Sequence, residues 1–312
     1  MGPDAPGGDA ASNADVVTAI PLRHPWRWVS AIAVALAVAW IVKGILGVVD
    51  ASTIRKFQFN GLILKGLVQT IEISVLAQAV GTALGVVLAV MRLSKNPVTS
   101  TVAWVYIWLF RGTPVLVQLL FWFAAVPLAF RTFSIGIPLT GVTFYQEPMA
   151  QFMTPFVVAL LGLGLNEGAY MAEIVRAGIL SVDDGQVEAA QALGMTPMLT
   201  MRRIVLPQAM RVIIPPTGNE FISMLKTSSL ASVVLLEELL RNAQGIYQTN
   251  LKNLELLIVA SIWYLVLTTV ASTGQYYLER RFARGSAREL PETPVQRIVR
   301  NLSFRTRSAS GA

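Results

Sequence analysis

Apolar residues gather into six runs along the chain, at about 28–49, 62–91, 101–128, 154–179, 207–234 and 254–277. Each is long enough for a helix rising 1.5 Å per residue to cross a hydrocarbon layer of roughly 30 Å. The pattern predicts an all-α polytopic membrane protein with about six transmembrane helices. Polar positions inside these runs are few and aligned. Asn166, Tyr170 and Glu173 recur at i, i+4 and i+7 and share one helical face, with Glu167 beside it. Thr217, Glu220, Ser223 and Thr227 form a similar line in the fifth run, next to Lys226. Ionisable groups in lipid usually face a cavity or a partner, so these two lines are expected to border a solute path. The plainer alternative is that they hold helices together by interhelical hydrogen bonds. Glu173 is also placed to pair with Arg176, three residues on.

Small residues and breaks add detail. Ala77, Gly81, Gly85 and Ala89 stand at intervals of four in the second run and create a face that another helix can approach closely, within the chain or from a second subunit. Arg111, Gly112, Thr113 and Pro114 interrupt the third run, and Pro215 and Pro216 are expected to break the fifth. Such breaks need buried or wet surroundings to satisfy the backbone. Between the runs, 50–60 reads as a short polar loop and 131–153 as a loop at the outer interface, with Pro138, Gly141 and Pro148. An amphipathic segment is expected around 233–240, then a polar loop to Asn253.

Residues 1–22, rich in Gly, Ala, Pro and Asp, are expected to be disordered. Residues 23–49 read as a retained N-terminal membrane helix rather than a cleaved signal peptide, because the leading segment is long and no clear cleavage site follows. A membrane domain then occupies 50–285, and 286–312 is a basic tail. With six spans both ends lie on one side. The N-terminal segment, the Arg92 turn, the stretch 176–211 and the tail hold about 16 of the 25 Lys and Arg residues, so that side is expected to be cytoplasmic.

Composition narrows the chemistry. The chain is 54% hydrophobic and 14% charged, against roughly 25% charged in ordinary soluble domains. Cysteine is absent, which excludes disulfides and thiolate metal sites. The only histidine, His24, reads as an interfacial cation beside Arg23 and Arg27. One His and no clustered acid and base pair leave little for a membrane enzyme to work with. A net charge of +7 suits lipid headgroups better than nucleic acid.

The stretch 188–207 differs from its neighbours, being mixed polar and apolar between two long apolar runs. It contains Glu188, Ala189 and Ala190, then Gly194, then Ile204, Leu206 and Pro207. A short helix over about 186–193 is expected, stopped by Gly194 and kept from resuming at once by Pro197, with a second helix beginning near Pro207. This spacing resembles the EAA loop of ABC importer permeases. The residues Ala169 to Ile179 before it (AYMAEIVRAGI), Arg111 to Pro114 upstream, and Pro215, Pro216, Asn219 and Lys226 to Leu230 after it sharpen the likeness to the polar amino acid branch of that family. The likeness covers roughly 62–282.

The resemblance implies a five-helix type I importer core, so the helix at 28–49 is an addition. It also implies two permease subunits, the second the same or a different chain, two ATPase subunits below them, and an extracellular solute-binding protein. Glu188, Ala189, Ala190, Gly194, Ile204, Leu206 and Pro207 would then couple to the ATPase, with Glu188 fixing the helix by capping or pairing. The sequence lacks a Gly-x-x-x-x-Gly-Lys-Ser/Thr loop, so ATP and Mg²⁺ are expected on the partner ATPase and no cofactor on this chain. The substrate path is expected to involve Asn166, Glu167, Tyr170, Glu173 and Glu220. A secondary transporter of small polar solutes is the alternative, and the inverted repeat that would favour it is not seen.

Overall fold

The structure, a computed structural model, describes residues 25–137 and 142–282. The expected disordered segment 1–22, His24 and the basic tail 286–312 lie outside them. Contacts divide the chain at residue 50. The first unit contributes one helix, α1 (Pro25–Val48), as the first apolar run predicts.

The second unit begins with α2 (Ala51–Gln58) and α3 (Gly61–Arg92). The expected polar loop at 50–60 is therefore a short helix. Its apolar positions Ile54 and Phe57 pack against the buried cluster of Ile63, Leu239, Leu256 and Val259, as does Trp263, whose indole N–H donates to the Gln58 carbonyl at 2.8 Å. Then come α4 (Pro97–Gly112), α5 (Val115–Leu120), a π turn (Phe121–Ala125) and α6 (Val126–Ala129). The segment expected to be a loop at 131–153 instead contains an antiparallel hairpin, β1 (Thr132–Gly136) with β2 (Thr143–Pro148), followed by the turn α7 (Met149–Phe152). Alternating aromatics explain the strands, because Phe133 stacks on Phe152 at 4.0 Å and contacts Tyr145 edge-on.

The remainder is α8 (Pro155–Leu180), α9 (Asp184–Ala192), α10 (Pro197–Thr200), a π turn (Met201–Val205), α11 (Leu206–Thr227), a 3₁₀ segment (Ser228–Val234), α12 (Leu239–Asn250) and α13 (Asn253–Phe282). The loop expected before Asn253 is thus the helix α12. Glu238 caps it, accepting from Leu240 and Arg241 backbone N–H groups at 2.9 and 2.7 Å, and Thr70 of α3 accepts from Leu239 N–H. The expected break at Pro215 and Pro216 does not occur, since α11 runs through both. Gln275 of α13 donates to the Pro215 carbonyl at 3.1 Å.

By length and composition α3, α8 and α13 can each cross a membrane. The pair Pro97–Gly112 and Val115–Ala129, bent by 102°, makes a fourth. α11 falls outside that criterion, as its prolines and the polar line through Glu220 and Lys226 lower its hydropathy.

The centre of this unit is the contact of α3 with α8. Gly81 lies against Glu167, Leu84 against Gly168 and Gly85 against Met171, so the two helices run parallel with interleaved small residues. A Cβ at Gly81 would stand 2.5 Å from Glu167 Cγ, closer than non-bonded carbons approach. The small-residue face of the second run therefore packs inside the chain. Parallel α3 and α8 also put the Arg92 turn and the segment after Leu180 at one end of the molecule.

Candidate functional site

The break after α4 shapes the first site. Helix ends leave carbonyls without intrahelical partners, and here side chains supply donors. Gln118 Nε2 donates to the Phe110 carbonyl at 3.0 Å and to Thr113 Oγ1 at 2.7 Å, while Asn166 Nδ2 of α8 reaches the same Phe110 carbonyl at 2.9 Å. Thr113 Oγ1 donates in turn to the Leu109 carbonyl. Side chains thereby meet the Leu109 and Phe110 carbonyls at the bend, while Gln118 Oε1 is left buried without a partner among the described residues.

Behind it lies a cavity of about 240 Å³, near the small end of ligand sites, which run from roughly 300 to 1,000 Å³. Asn166, Glu167 and Tyr170 border it from α8, and Glu220, Ser223 and Thr227 border it from α11. Glu167 is 4% exposed and accepts a hydrogen bond from Gln78 Nε2 at 2.9 Å, in the room that Gly81 leaves. The Arg111 guanidinium carbon sits 5.3 Å from the centre of the Tyr170 ring, a cation–π distance. Two carboxyl groups, an amide and three hydroxyls thus converge on one small volume, with a cation at the Tyr170 ring. Such a lining suits a small polar solute carrying charge.

Of the expected path residues, Asn166, Glu167, Tyr170 and Glu220 are brought together. Glu173 is not among the lining residues, and pairs with Arg176 at 2.7 Å as the i, i+3 spacing implied. Gln78 was missed, although a polar side chain within a small-residue face was a usable signal. In the sequence Arg111 is marked only by the break it belongs to.

The second site is the stretch at 181–207. Asp183 caps α9, accepting from the Gly185 N–H at 2.8 Å, so the helix starts two residues before the expected 186. The cap is Asp183 and not Glu188, which is exposed on the helix and has no ion pair among the described residues. At the other end Gly194 has φ +78°. Its N–H donates to the Gln191 carbonyl at 2.9 Å, and the Met195 N–H donates to the Ala190 carbonyl at 3.0 Å. This is a Schellman stop, and a left-handed glycine is what allows it.

Helix resumes sooner than expected. Thr196 caps α10 through Leu199 N–H, and Pro197 takes its first position, where a missing N–H costs nothing. The run then continues into α11, and Pro207 lies inside it just after the π turn, which shifts the hydrogen-bond pattern ahead of the proline.

Ala190 is buried, whereas Ala189, Glu188 and Gly194 face outward. Val182 and Val205 anchor the base of the hairpin among Met171, Ala89 and Ala209. Ile204 is half-buried, and Leu206 and Pro207 are exposed. Beyond the base, Leu193 and Met198 are 82% and 76% exposed at the tip. These two apolar side chains were not singled out from sequence, since only the turn's geometry brings them together outside the core.

Residues 81–284 match the family described as binding-protein-dependent transport system inner membrane component. An arginine transport system permease protein of Corynebacterium glutamicum is 44% identical over 288 residues, spanning 91% of this chain and 89% of that protein. The glutamine transport system permease protein of Escherichia coli is 36% identical over 220 residues, 70% of this chain and 92% of its own length. A crystal structure of an amino acid ABC transporter with histidines contains a chain that is 36% identical, superposes with a TM-score of 0.63 and covers 75% of this chain and 99% of its own. On the extent of these matches, the chain belongs to the binding-protein-dependent transport system inner membrane component family.

Proposed function

We propose that this chain is the membrane permease subunit of an ATP-driven importer for polar amino acids. In this reading it has six spans, five forming the core and α1 added at the N-terminus. The observation that carries it is the self-capped hairpin at 181–205, standing clear of the core between two long helices and offering Leu193 and Met198 at its tip. An element closed by its own backbone bonds, with apolar side chains exposed, is built to dock. Its partner is a pair of ATPase subunits, which bind ATP and Mg²⁺. Movement of that pair on ATP binding rocks the membrane helices through α9. Glu188, Ala189, Ala190 and Gly194 set the docking geometry, with Ile204, Leu206 and Pro207 joining it to α11.

The parallel course of α3 and α8 supports the orientation. Arg92, Lys95, Arg176, Arg202 and Arg203 share the end that bears the hairpin, the arrangement expected on the cytoplasmic side. A solute-binding protein delivers substrate at the opposite end, and a second permease, the same or a different chain, completes the path.

Asn166, Glu167, Tyr170 and Glu220 border that path. Two carboxyl groups favour a substrate with an ammonium or guanidinium group, so the arginine permease relative makes basic amino acids the first to screen. The test is purification with the ATPase and binding protein, followed by measurement of ATP hydrolysis with each amino acid in turn. Stimulation by one or a few amino acids is expected. Failure to associate with an ATPase, or no stimulation by any amino acid, overturns the reading.

A further inference from the structure

The turn between α3 and α4 has chemistry that the transport cycle does not use. Arg92, the last residue of α3, is half-buried, and its Nη1 donates to Ser100 Oγ at 2.9 Å. Ser100 Oγ donates back to the Arg92 carbonyl at 3.1 Å. Asn96 caps α4 by accepting from the Val98 N–H at 2.9 Å, which fixes the turn. One Arg92 N–H is used in this arrangement, out of the five that a guanidinium carries. Lys95 is exposed in the same turn, and no ion pair among the described residues involves either cation.

Two hollows meet at this point. A polar one of about 270 Å³ is bordered by Arg92, Ser100, Thr101 and Trp104. Thr101 also borders an apolar groove of about 490 Å³ formed with Pro97, Val98, Val102 and Val105. The three valines stand at i, i+4 and i+7 on one face of α4 and are 71%, 55% and 45% exposed. At 1.5 Å per residue they extend roughly 10 Å along the helix, most of one leaflet's share of a hydrocarbon core about 30 Å thick. Trp104 stacks on Trp108 beside the groove, as aromatic side chains do at a membrane interface.

We propose that this groove binds an anionic glycerophospholipid, with its phosphate on Arg92, Ser100 and Lys95 and an acyl chain along Val98, Val102 and Val105. The inference rests on membrane embedding and not on which solute is carried. Its basis is charge complementarity. A neutral surface would cover the valines but leave two cations unmatched, whereas an anionic headgroup pairs with both, Arg92 offering a planar fork suited to phosphate. Basic pockets between helices on the cytoplasmic side recognise lipid headgroups by this chemistry.

The test uses the full chain in phosphatidylcholine vesicles containing increasing fractions of brominated phosphatidylglycerol. The signal of Trp104 is isolated as the difference between the wild-type chain and W104F. Quenching is expected at a mole fraction about thirtyfold below that needed with brominated phosphatidylcholine, the ratio that two basic side chains give near an anionic lipid. The preference should fall with salt, persist in R92K and vanish in R92Q/K95Q. Equal quenching by the two brominated lipids overturns the proposal, and so does an absence of quenching by either, which would mean that another protein chain covers the groove. Both comparisons need only the wild-type chain and W104F across the two lipid series, so poor folding of R92Q/K95Q does not blunt the test.

Discussion

The cavity and the hairpin proposed to dock are held by opposite means. Around the cavity, position depends on partners far away in sequence: Gln78 orients Glu167, Asn166 holds the end of α4, and Gly81 lets two helices close on each other. In the hairpin, nearly every stabilising contact lies within five residues, from the Asp183 cap through the Schellman stop to the Thr196 cap. A path for solutes needs a rigid, densely packed wall. A docking element needs a fixed shape that survives away from the core, and local hydrogen bonds supply one.

The same substitution in the two places should therefore have different consequences. Gly81→Val puts a branched side chain where a Cβ alone meets Glu167 carbons at 2.5 and 2.6 Å. The helices must separate, and overpacking of this kind costs about 1–3 kcal/mol or more. Loss of most of the protein from the membrane is expected, read by immunoblot of membrane fractions. Gly194→Val meets nothing within 4 Å and is opposed only by the positive φ, at about 1 kcal/mol or more. Abundance should stay near normal while substrate-stimulated ATP hydrolysis falls severalfold. Gly194→Asn, which tolerates that backbone region, should recover most of it. Equal abundance of the two valine variants with unchanged hydrolysis would remove the distinction between wall and dock.

This contrast also explains what could be read from the sequence. The α9 stop was legible because glycine after a polar helix is a local signal, as were the bend at Gly112 and Pro114 and the Glu173–Arg176 pair. Pro197 and Pro215 misled for a physical reason. A proline's effect depends on its position in the helix and on what packs around it, and neither Thr196 as a cap nor Gln275, which reaches the Pro215 carbonyl from α13, announces itself. The α2 and α12 helices were hidden by their polarity, since their burial comes from packing on α13 and α3. The cavity was half legible. Helical spacing aligned Asn166 and Tyr170, but it carried the alignment on to Glu173, which the structure pairs elsewhere.

A smaller effect is expected from Glu167→Gln. The new amide has nearly the same shape, and its oxygen can still accept from Gln78 Nε2, so the protein should reach the membrane at normal level. What changes is charge inside the cavity. If a basic substrate is drawn there, its apparent affinity should fall by about tenfold to a hundredfold, the effect of losing one charged hydrogen bond of roughly 1.5–3 kcal/mol. A neutral amino acid should be affected less. Unchanged transport of every substrate would leave Glu167 a packing residue only.

The smallest effect separates Glu167 from Glu173, the two acids that sequence placed near one face. Glu173 and Arg176 bond at 2.7 Å, but their side chains are 26% and 33% exposed, and Glu173 does not border the cavity. A partly exposed ion pair contributes little, within about 1 kcal/mol, because solvent screens it and two long side chains lose freedom to form it. Arg176→Gln and Glu173→Gln should each shift the thermal midpoint only slightly, and neither should alter the order in which amino acids stimulate ATP hydrolysis. Measuring that order for Glu173→Gln beside Glu167→Gln decides the matter. A changed order for Glu173→Gln would extend the solute path one turn further toward the hairpin, joining the two regions that the structure keeps distinct.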